Sequence, residues 1–189
     1  MKNRCAWANG DDILMKEYHD KVWGRPKKND IDIFEAIVLD TNQAGLSWSC
    51  ILNKRDNFAK AFCNFDPRKI SKMGESDIKK LMKNSGIIRH EGKIRATIEN
   101  AKAFLQIQKE FGSAADYFWA FTSKKVIFNN FKDIKSIPSK TAISEKMSKD
   151  LKKRGFKFTG PVMCYAFMQG IGIVHDHTKD CFLYKNLKN

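Results

Sequence analysis

The sequence predicts a mainly α, single compact chain, and three observations carry that expectation. Apolar residues recur at three- and four-residue steps along much of the 189 residues, as in Ile33, Phe34, Ile37 and Val38, or Ile94, Ile98, Ala101 and Leu105. The breaks between such runs are short and carry turn or cap residues, such as Asp66-Pro67, Asn84-Ser85-Gly86 and Gly160-Pro161. No internal repeat or low-complexity linker divides the chain, and 42% hydrophobic residues suffice for a full core. One domain over 1–189 is expected, with an approximately helical core over 31–150.

Taken in order, residues 1–30 read as irregular but aromatic, with Trp7, Tyr18 and Trp23 set among His19, Asp20 and Gly24. Such a segment must pack onto something. The spacing predicts a helix over 31–40, a turn, and a resumed pattern through Ile51, Leu52, Phe58 and Phe62, making a helical hairpin. Asp66-Pro67 starts another helix, and Ser76 offers an N-cap for a short helix through Leu81 and Met82. A long helix follows from Arg89 to about Phe111. Phe118 to Phe121 is apolar and aromatic, and residues 124–140 read mostly as loop. Ser144 to Lys153 reads as a helix ended by Gly155, and Val162 to Ile171 as an apolar helix. The basic tail 178–189 is expected to fray after Cys181.

A formal charge of +14 exceeds what solubility needs and points to a polyanion, nucleic acid first, with an anionic membrane surface as the competitor. No apolar run approaches the ~20 residues of a spanning helix, and the opening MKNRCAWANGDD lacks the apolar core of a signal peptide. A cytoplasmic protein with no membrane partner is expected. Five scattered cysteines, an odd number, do not look like a disulfide framework, so reduced thiols are expected, some of them available as metal ligands.

Four stretches could carry chemistry. LDTNQAGLSWSCIL, residues 39–52, sets the lone carboxylate of Asp40 beside Asn42 and Gln43, then Ala44-Gly45, Leu46 and Trp48. It reads either as the frame of a pocket for a flat, hydrogen-bonding ligand or as a corner whose Leu46 and Trp48 are core. His177 and Cys181, four residues apart, fall on one face of a helix or tight turn, and Cys5 with His19 could complete a Cys₂His₂ set that suits tetrahedral, structural zinc. His175 is a rival ligand, but the four-residue spacing favours His177. In LMKNSGIIRHEGKIRATI, Gly86 can take a positive φ where one helix stops, and the next helix opens beside Lys83, Arg89 and Lys93. That hairpin, near 83–93, reads as a phosphate-gripping helix-hairpin-helix or as an ordinary turn with solvated lysines. LKKRGFKFTG, residues 151–160, places Lys153 before Phe156 and Phe158, a pattern for DNA backbone contact or equally a plain basic helix end.

Jointly, RCAW, YHDKVWG, QAGLSW, FDP, GIIRHEGKI, LKKRGFKFTGP and DHTKDC run from Arg4 to Cys181, and the chain resembles the DNA-3-methyladenine glycosylase I family. The resemblance implies a helix-hairpin-helix glycosylase fold in which segments 1–30 and 151–189 pack together around one structural zinc ion. The ligands it implies are Cys5, His19, His177 and Cys181. It implies a DNA repair hydrolase acting on duplex DNA that flips out 3-methyladenine, cuts its N-glycosidic bond and releases the free base. No lysine is placed for a Schiff base, so a monofunctional enzyme without strand cleavage is expected, and monomeric action is the default expectation. Tyr18 and Trp48 match the pocket aromatics, Trp7 and Trp23 supporting positions, and Gly45 with Leu46 the turn that enters the gap left in the DNA. Asp40 matches the recognition acid. Gly86, Arg89, Lys93 and Lys153 are the expected DNA contacts.

The family pattern carries Glu where this chain has Asp40 and commonly Gln where it has Asn42, each one methylene longer by about 1.5 Å. Glu35, one helical turn plus one residue earlier, is not expected to substitute. The shortened acid leaves a second reading open, a non-excising lesion-binding or DNA-binding protein of the same fold.

Overall fold

The structure, a computed structural model, describes residues 2–186. Its centre is a pair of long helices, α2 (Asp30–Gln43) and α7 (Glu91–Phe111), with the shorter helices placed around them. Helix α2 is apolar on nearly every side, burying Ile33, Phe34, Ile37 and Val38, as a helix inside a core must. Its Asn29 cap accepts from the Ile31 N–H at 2.8 Å. Its first residue, Asp30, turns outward and accepts from the N–H groups of Ala114 and Ala115 at 3.0 and 2.9 Å, capping α8 (Ala114–Ala120). Phe34 on α2 meets Phe104 on α7 at 4.8 Å between ring centroids. Phe118 on α8 in turn meets Phe167 on α10 (Pro161–Gly170) at 5.0 Å. This aromatic chain is the spine of the core.

Several expectations need correction. Residues 1–30 are not all irregular: α1 (Ile13–Lys21) opens on Asp12, whose side chain accepts from the Met15 N–H at 3.1 Å. Its one fully buried side chain is His19 rather than an aliphatic residue, so no apolar period marked it. Helix α2 continues through Gln43, and the turn shrinks to residues 44–47. The buried Asn42 amide donates to the Val38 carbonyl at 2.8 Å, which satisfies a polar residue inside the last turn. After that turn come α3 (Trp48–Leu52) and α4 (Arg55–Ala61), then α5 (Pro67–Ile70) capped by Asp66 as expected. The cap of α6 (Glu75–Lys83) is Gly74, not Ser76, because the Asp77 carboxylate reaches back to the Gly74 N–H at 3.0 Å. Helix α8 covers Phe118, and α9 (Ala142–Lys153) starts two residues before Ser144 at the Thr141 cap.

Gly86 does not adopt a positive φ. Its lack of a side chain serves close approach instead, since a Cβ there would lie 2.9 Å from Asn57 Cγ. Residues 124–140 are mostly loop, pinned by a two-residue parallel ladder between β1 (Ile127–Phe128) and β2 (Val174–His175). The tail does not fray at Cys181: Phe182 N–H donates to Asn3 O at 2.8 Å, Leu183 is buried, and α11 (Leu183–Asn186) follows. Residues 187–189 of the expected frayed tail lie outside the described residues.

One close approach brings the N-terminal segment onto the end of α10. Gly24 and Lys27 N–H groups donate to Gln169 O and Ile171 O at 3.1 and 2.9 Å. Gly172 sits under that contact at φ +74°, and a Cβ there would lie 2.3 Å from Arg25 C. The Gly172→Ala variant is expected to lose at least about 2 kcal/mol of stability, from both the left-handed backbone and the clash. Urea unfolding checks this, and an unshifted midpoint refutes it.

Candidate functional site

Two chain ends build one cluster. Cys5 precedes a short 3₁₀ turn (Ala6–Ala8), His19 lies on α1, and His177 and Cys181 flank a turn in which Cys181 N–H donates to Thr178 O at 2.8 Å. All four are buried, and their ligand atoms lie within 4.8 Å of one another. Cys181 Sγ stands 3.4 Å from His19 Nε2 and 3.5 Å from His177 Nδ1, and Cys5 Sγ stands 3.5 Å from His177 Nδ1. Those separations match the edges, roughly 3.3 to 3.8 Å, of a tetrahedron whose metal–nitrogen and metal–sulfur bonds are about 2.0 and 2.3 Å. The donor set therefore fits a metal ion.

The surroundings orient it. His19 Nδ1 pairs with Asp20 at 2.8 Å, and Arg4 binds the same carboxylate through two 2.8 Å bonds, so His19 turns Nε2 inward as a ligand. Those bonds, Arg4 first, hold Asp20 down at about 2 against the effect of burial. A Cβ at Gly24 would come within 3.1 Å of His177 Nε2, which accounts for the glycine after Trp23. His175 is not in the cluster; its ring packs beside that of His177 at 5.0 Å.

The same segments wall a cavity. Trp7, Tyr18, Trp23 and Trp48 line a space of about 230 Å³ with Asp40, Gln43, Gln169 and Met15. Trp7 meets Trp23 edge-on at 5.2 Å, and Tyr18 meets Trp48 at 5.1 Å. Asp40 is 8% exposed, and its carboxylate has no hydrogen-bond partner among the described residues. The buried Trp48 indole N–H also has none. Two unpartnered polar groups among aromatic walls are what a flat polar ligand requires. Burial raises Asp40 to about 7, opposed by the charge of Lys27. Burial, then the charges of Asp40 and Glu35, raises Tyr18, which keeps its hydroxyl proton.

Tyr18, Trp48 and Asp40 also face a second cavity of about 300 Å³, bordered by Lys27, Glu35 and Arg55. Glu35 does share space with Asp40, but it is paired with Arg55. Lys27, Gln169 and Met15 were not singled out in the sequence. Only the three-residue step from Met15 to Tyr18, which puts both on one face of a helix, could have pointed to any of them.

The expected DNA-facing residues divide. Gly45, at φ +78°, and Leu46, 40% exposed, project on the turn after α2. Gly86 and the exposed Arg89 lie in the connection between α6 and α7, which the Lys54 ammonium holds at Ser85 O, 3.0 Å away. Lys93 is not at this surface: it is buried, with Nζ donating to Asn42 O at 2.8 Å and Ala44 O at 2.7 Å. Lys153 borders a separate groove with Phe111 and Tyr117, whereas Lys157 and Phe158 border the first turns of α7.

A family model described as methyladenine glycosylase matches residues 7–184. The chain is 47% identical over 181 residues to the DNA-3-methyladenine glycosylase of Haemophilus influenzae, covering 96% of this chain and 97% of that one. It is 42% identical over 185 residues to DNA-3-methyladenine glycosylase 1 of Escherichia coli, covering 98% of each. A crystal structure of a 3-methyladenine DNA glycosylase I variant in complex with 3-methyladenine matches with a TM-score of 0.92 at 33% identity, over 95% of this chain and 96% of that one.

The raised Asp40 makes stability depend on pH. An unfolded aspartate titrates near 4, so between about pH 4 and 7 the folded chain keeps a proton that the unfolded chain has lost. Stability contributed by this proton falls as pH rises through that window. Replacing Asp40 by Asn is expected to flatten the decline, with the variant gaining on the order of 3 kcal/mol relative to wild type from pH 4 to pH 8. Parallel urea titrations at the two pH values measure the gain, and equal slopes for the two proteins contradict it.

Proposed function

The chain belongs to the methyladenine glycosylase family, and from that premise we propose a DNA repair glycosylase that hydrolyses the N-glycosidic bond of 3-methyladenine in alkylated DNA. The observation that carries the reading is the buried, unpartnered Asp40 carboxylate in an aromatic-walled cavity. Methylation at N3 makes the base cationic and weakens its bond to the sugar, so little proton transfer to the leaving group is needed. A cation entering beside Asp40 supplies the charge partner that the protein withholds, whereas neutral adenine does not. The faces of Trp48 and Tyr18 add cation–π attraction of about 0.5 to 2 kcal/mol. The indole N–H of Trp48 and the amide of Gln43 are available hydrogen-bonding groups, whereas Gln169 also donates to Asp176.

Reaching this cavity requires the nucleotide to leave the duplex. Leu46, exposed on a turn opened by the left-handed Gly45, is shaped to fill the gap, and the connection carrying Gly86 and Arg89 is the strand-gripping hairpin of a helix-hairpin-helix fold. Water is the nucleophile. Hydrolysis without strand cleavage is part of this reading. Action as a monomer is part of this reading. The five free cysteines suit the reducing cytoplasm.

The Cys5, His19, His177 and Cys181 set is read as one structural zinc site, its two thiolates and two imidazoles leaving no open coordination position for chemistry. The ion's part is to fix α1 against the 177–181 turn, and those residues hold the aromatic wall in place. Elemental analysis is expected to find one zinc per chain, and chelation to lower the thermal midpoint on the order of 10 °C. A chain that is metal-free and equally stable sinks the zinc assignment.

Release of free base from methylated duplex DNA tests the function. Wild type is expected to release 3-methyladenine, Asp40→Glu to retain release, and Asp40→Asn to lose at least about 100-fold in kcat/KM, the loss of one charge-assisted contact in a buried site. Retention of wild-type release by Asp40→Asn removes Asp40 from the mechanism. No release by wild type or Asp40→Glu leaves the chain a lesion binder.

A further inference from the structure

Lys93 lies on α7, three residues past the hairpin connection, and should by its sequence position reach for phosphate. It is instead 5% exposed, and its ammonium ends between two backbone carbonyls of the wedge turn, Asn42 O and Ala44 O. The carbonyls belong to the last turn of α2 and its cap residue, so they are among those left without helical partners where that helix stops. The contact belongs to a small closed network. Thr97 Oγ1 donates to Lys93 O at 3.0 Å, and the Asn42 amide reaches Thr97 Oγ1 at 3.4 Å while also holding Val38 O. Asn42 and Thr97 are as buried as Lys93. On the other side, the His90 imidazole caps α7 by accepting from the Lys93 N–H at 3.2 Å. One residue therefore touches the hairpin connection through its backbone and the wedge turn through its side chain.

A buried ammonium is costly unless its donors are filled, and aliphatic packing would close α2 on α7 without that cost. What the ammonium adds is direction. It fixes where the peptides before Gly45 and Leu46 sit relative to the residues that meet the DNA strand. Leu46 N–H closes its own turn on Gln43 O at 2.7 Å, so fixing Asn42 and Ala44 fixes the wedge.

We propose that Lys93 is a positioning residue that locks the Leu46 wedge in register with the DNA-gripping hairpin, so that strand binding and insertion into the duplex occur as one motion. The assignment rests on the glycosylase reading and concerns delivery of the base rather than its recognition. Lys93 touches neither of the cavities that Asp40 lines.

A double-mutant cycle tests it. Lys93→Met is compared with wild type, and again in a Leu46→Ala background, by kcat/KM for base release from methylated duplex DNA and by tryptophan-fluorescence titration with free 3-methyladenine. The expected loss for Lys93→Met is on the order of tenfold when Leu46 is present and under about twofold when it is absent, with free-base affinity unchanged in both. Equal fold-losses in the two backgrounds, or a matching loss of free-base affinity, overturn the proposal and reduce Lys93 to a structural lysine. Lys93→Gln, which can still donate to one carbonyl, carries the same cycle if the methionine variant does not fold. The wild-type control separates the failures: no release by wild type defeats the glycosylase reading itself, whereas release with an additive cycle defeats only this one.

Discussion

Cys5 and His177 are 172 residues apart in sequence, yet their donor atoms stand 3.5 Å apart, and the placement of the ligand cavity depends on this meeting. Helix α1 has few apolar side chains to hold it on the core. Its buried residue is His19, and the next turn of chain carries Trp23, whose ring meets that of His177 edge-on at 4.7 Å. Tyr18 adjoins His19, so whatever fixes the imidazole fixes the phenol one residue away. Two thiols and two imidazoles buried together are an expensive set of polar groups to take from solvent. A metal held by them turns that cost into a fastener for the aromatic wall.

Cavity and cluster are joined a second time. Asp176, fully buried between His175 and His177, accepts from Tyr165 and Gln169 on α10 at 2.6 and 2.7 Å and from Asn129 at 2.7 Å. Gln169 lines the aromatic cavity. One carboxylate thus sets the His177 backbone, the cavity amide and the loop after β1, and the Cys₂His₂ cluster is not an appendage to the fold.

Much of this was legible in the sequence because periodicity, capping and ligand spacing are local properties. Helices α5 and α10 follow from their Asp-Pro and Gly-Pro starts, α7 and the body of α9 from apolar steps, and the Cys₂His₂ set from residue type and spacing. Two kinds of feature were not local. Helix α1 is held by tertiary partners of His19 rather than by an apolar face, so its pattern was silent. Lys93 and Gly86 have the look of a phosphate site, but their roles are set by what packs across from them: the carbonyls that end α2 for one, Asn57 for the other. One groove at the first turns of α7 is bordered by Arg95 and by Lys157, and the latter comes from the far end of the chain.

The shortened acid bears differently on charge and on hydrogen bonding. A direct hydrogen bond is lost within a few tenths of an ångström of its normal length, so a side chain about 1.5 Å shorter cannot make the same one unless the cavity contracts or water intervenes. Coulomb attraction falls only as the inverse of distance, and in a buried, aromatic-walled site it is weakly screened. Asp40 lies in the last turn of α2, toward the negative end of the helix dipole, which adds to burial in disfavouring its lone charge. The Lys93 ammonium offsets part of that field by covering two of the terminal carbonyls. What remains is a carboxylate whose ionisation is balanced near neutrality and tipped by any cation placed beside it. On the proposed reading, selection between a cationic and a neutral base survives the missing methylene, because it rests on charge more than on reach.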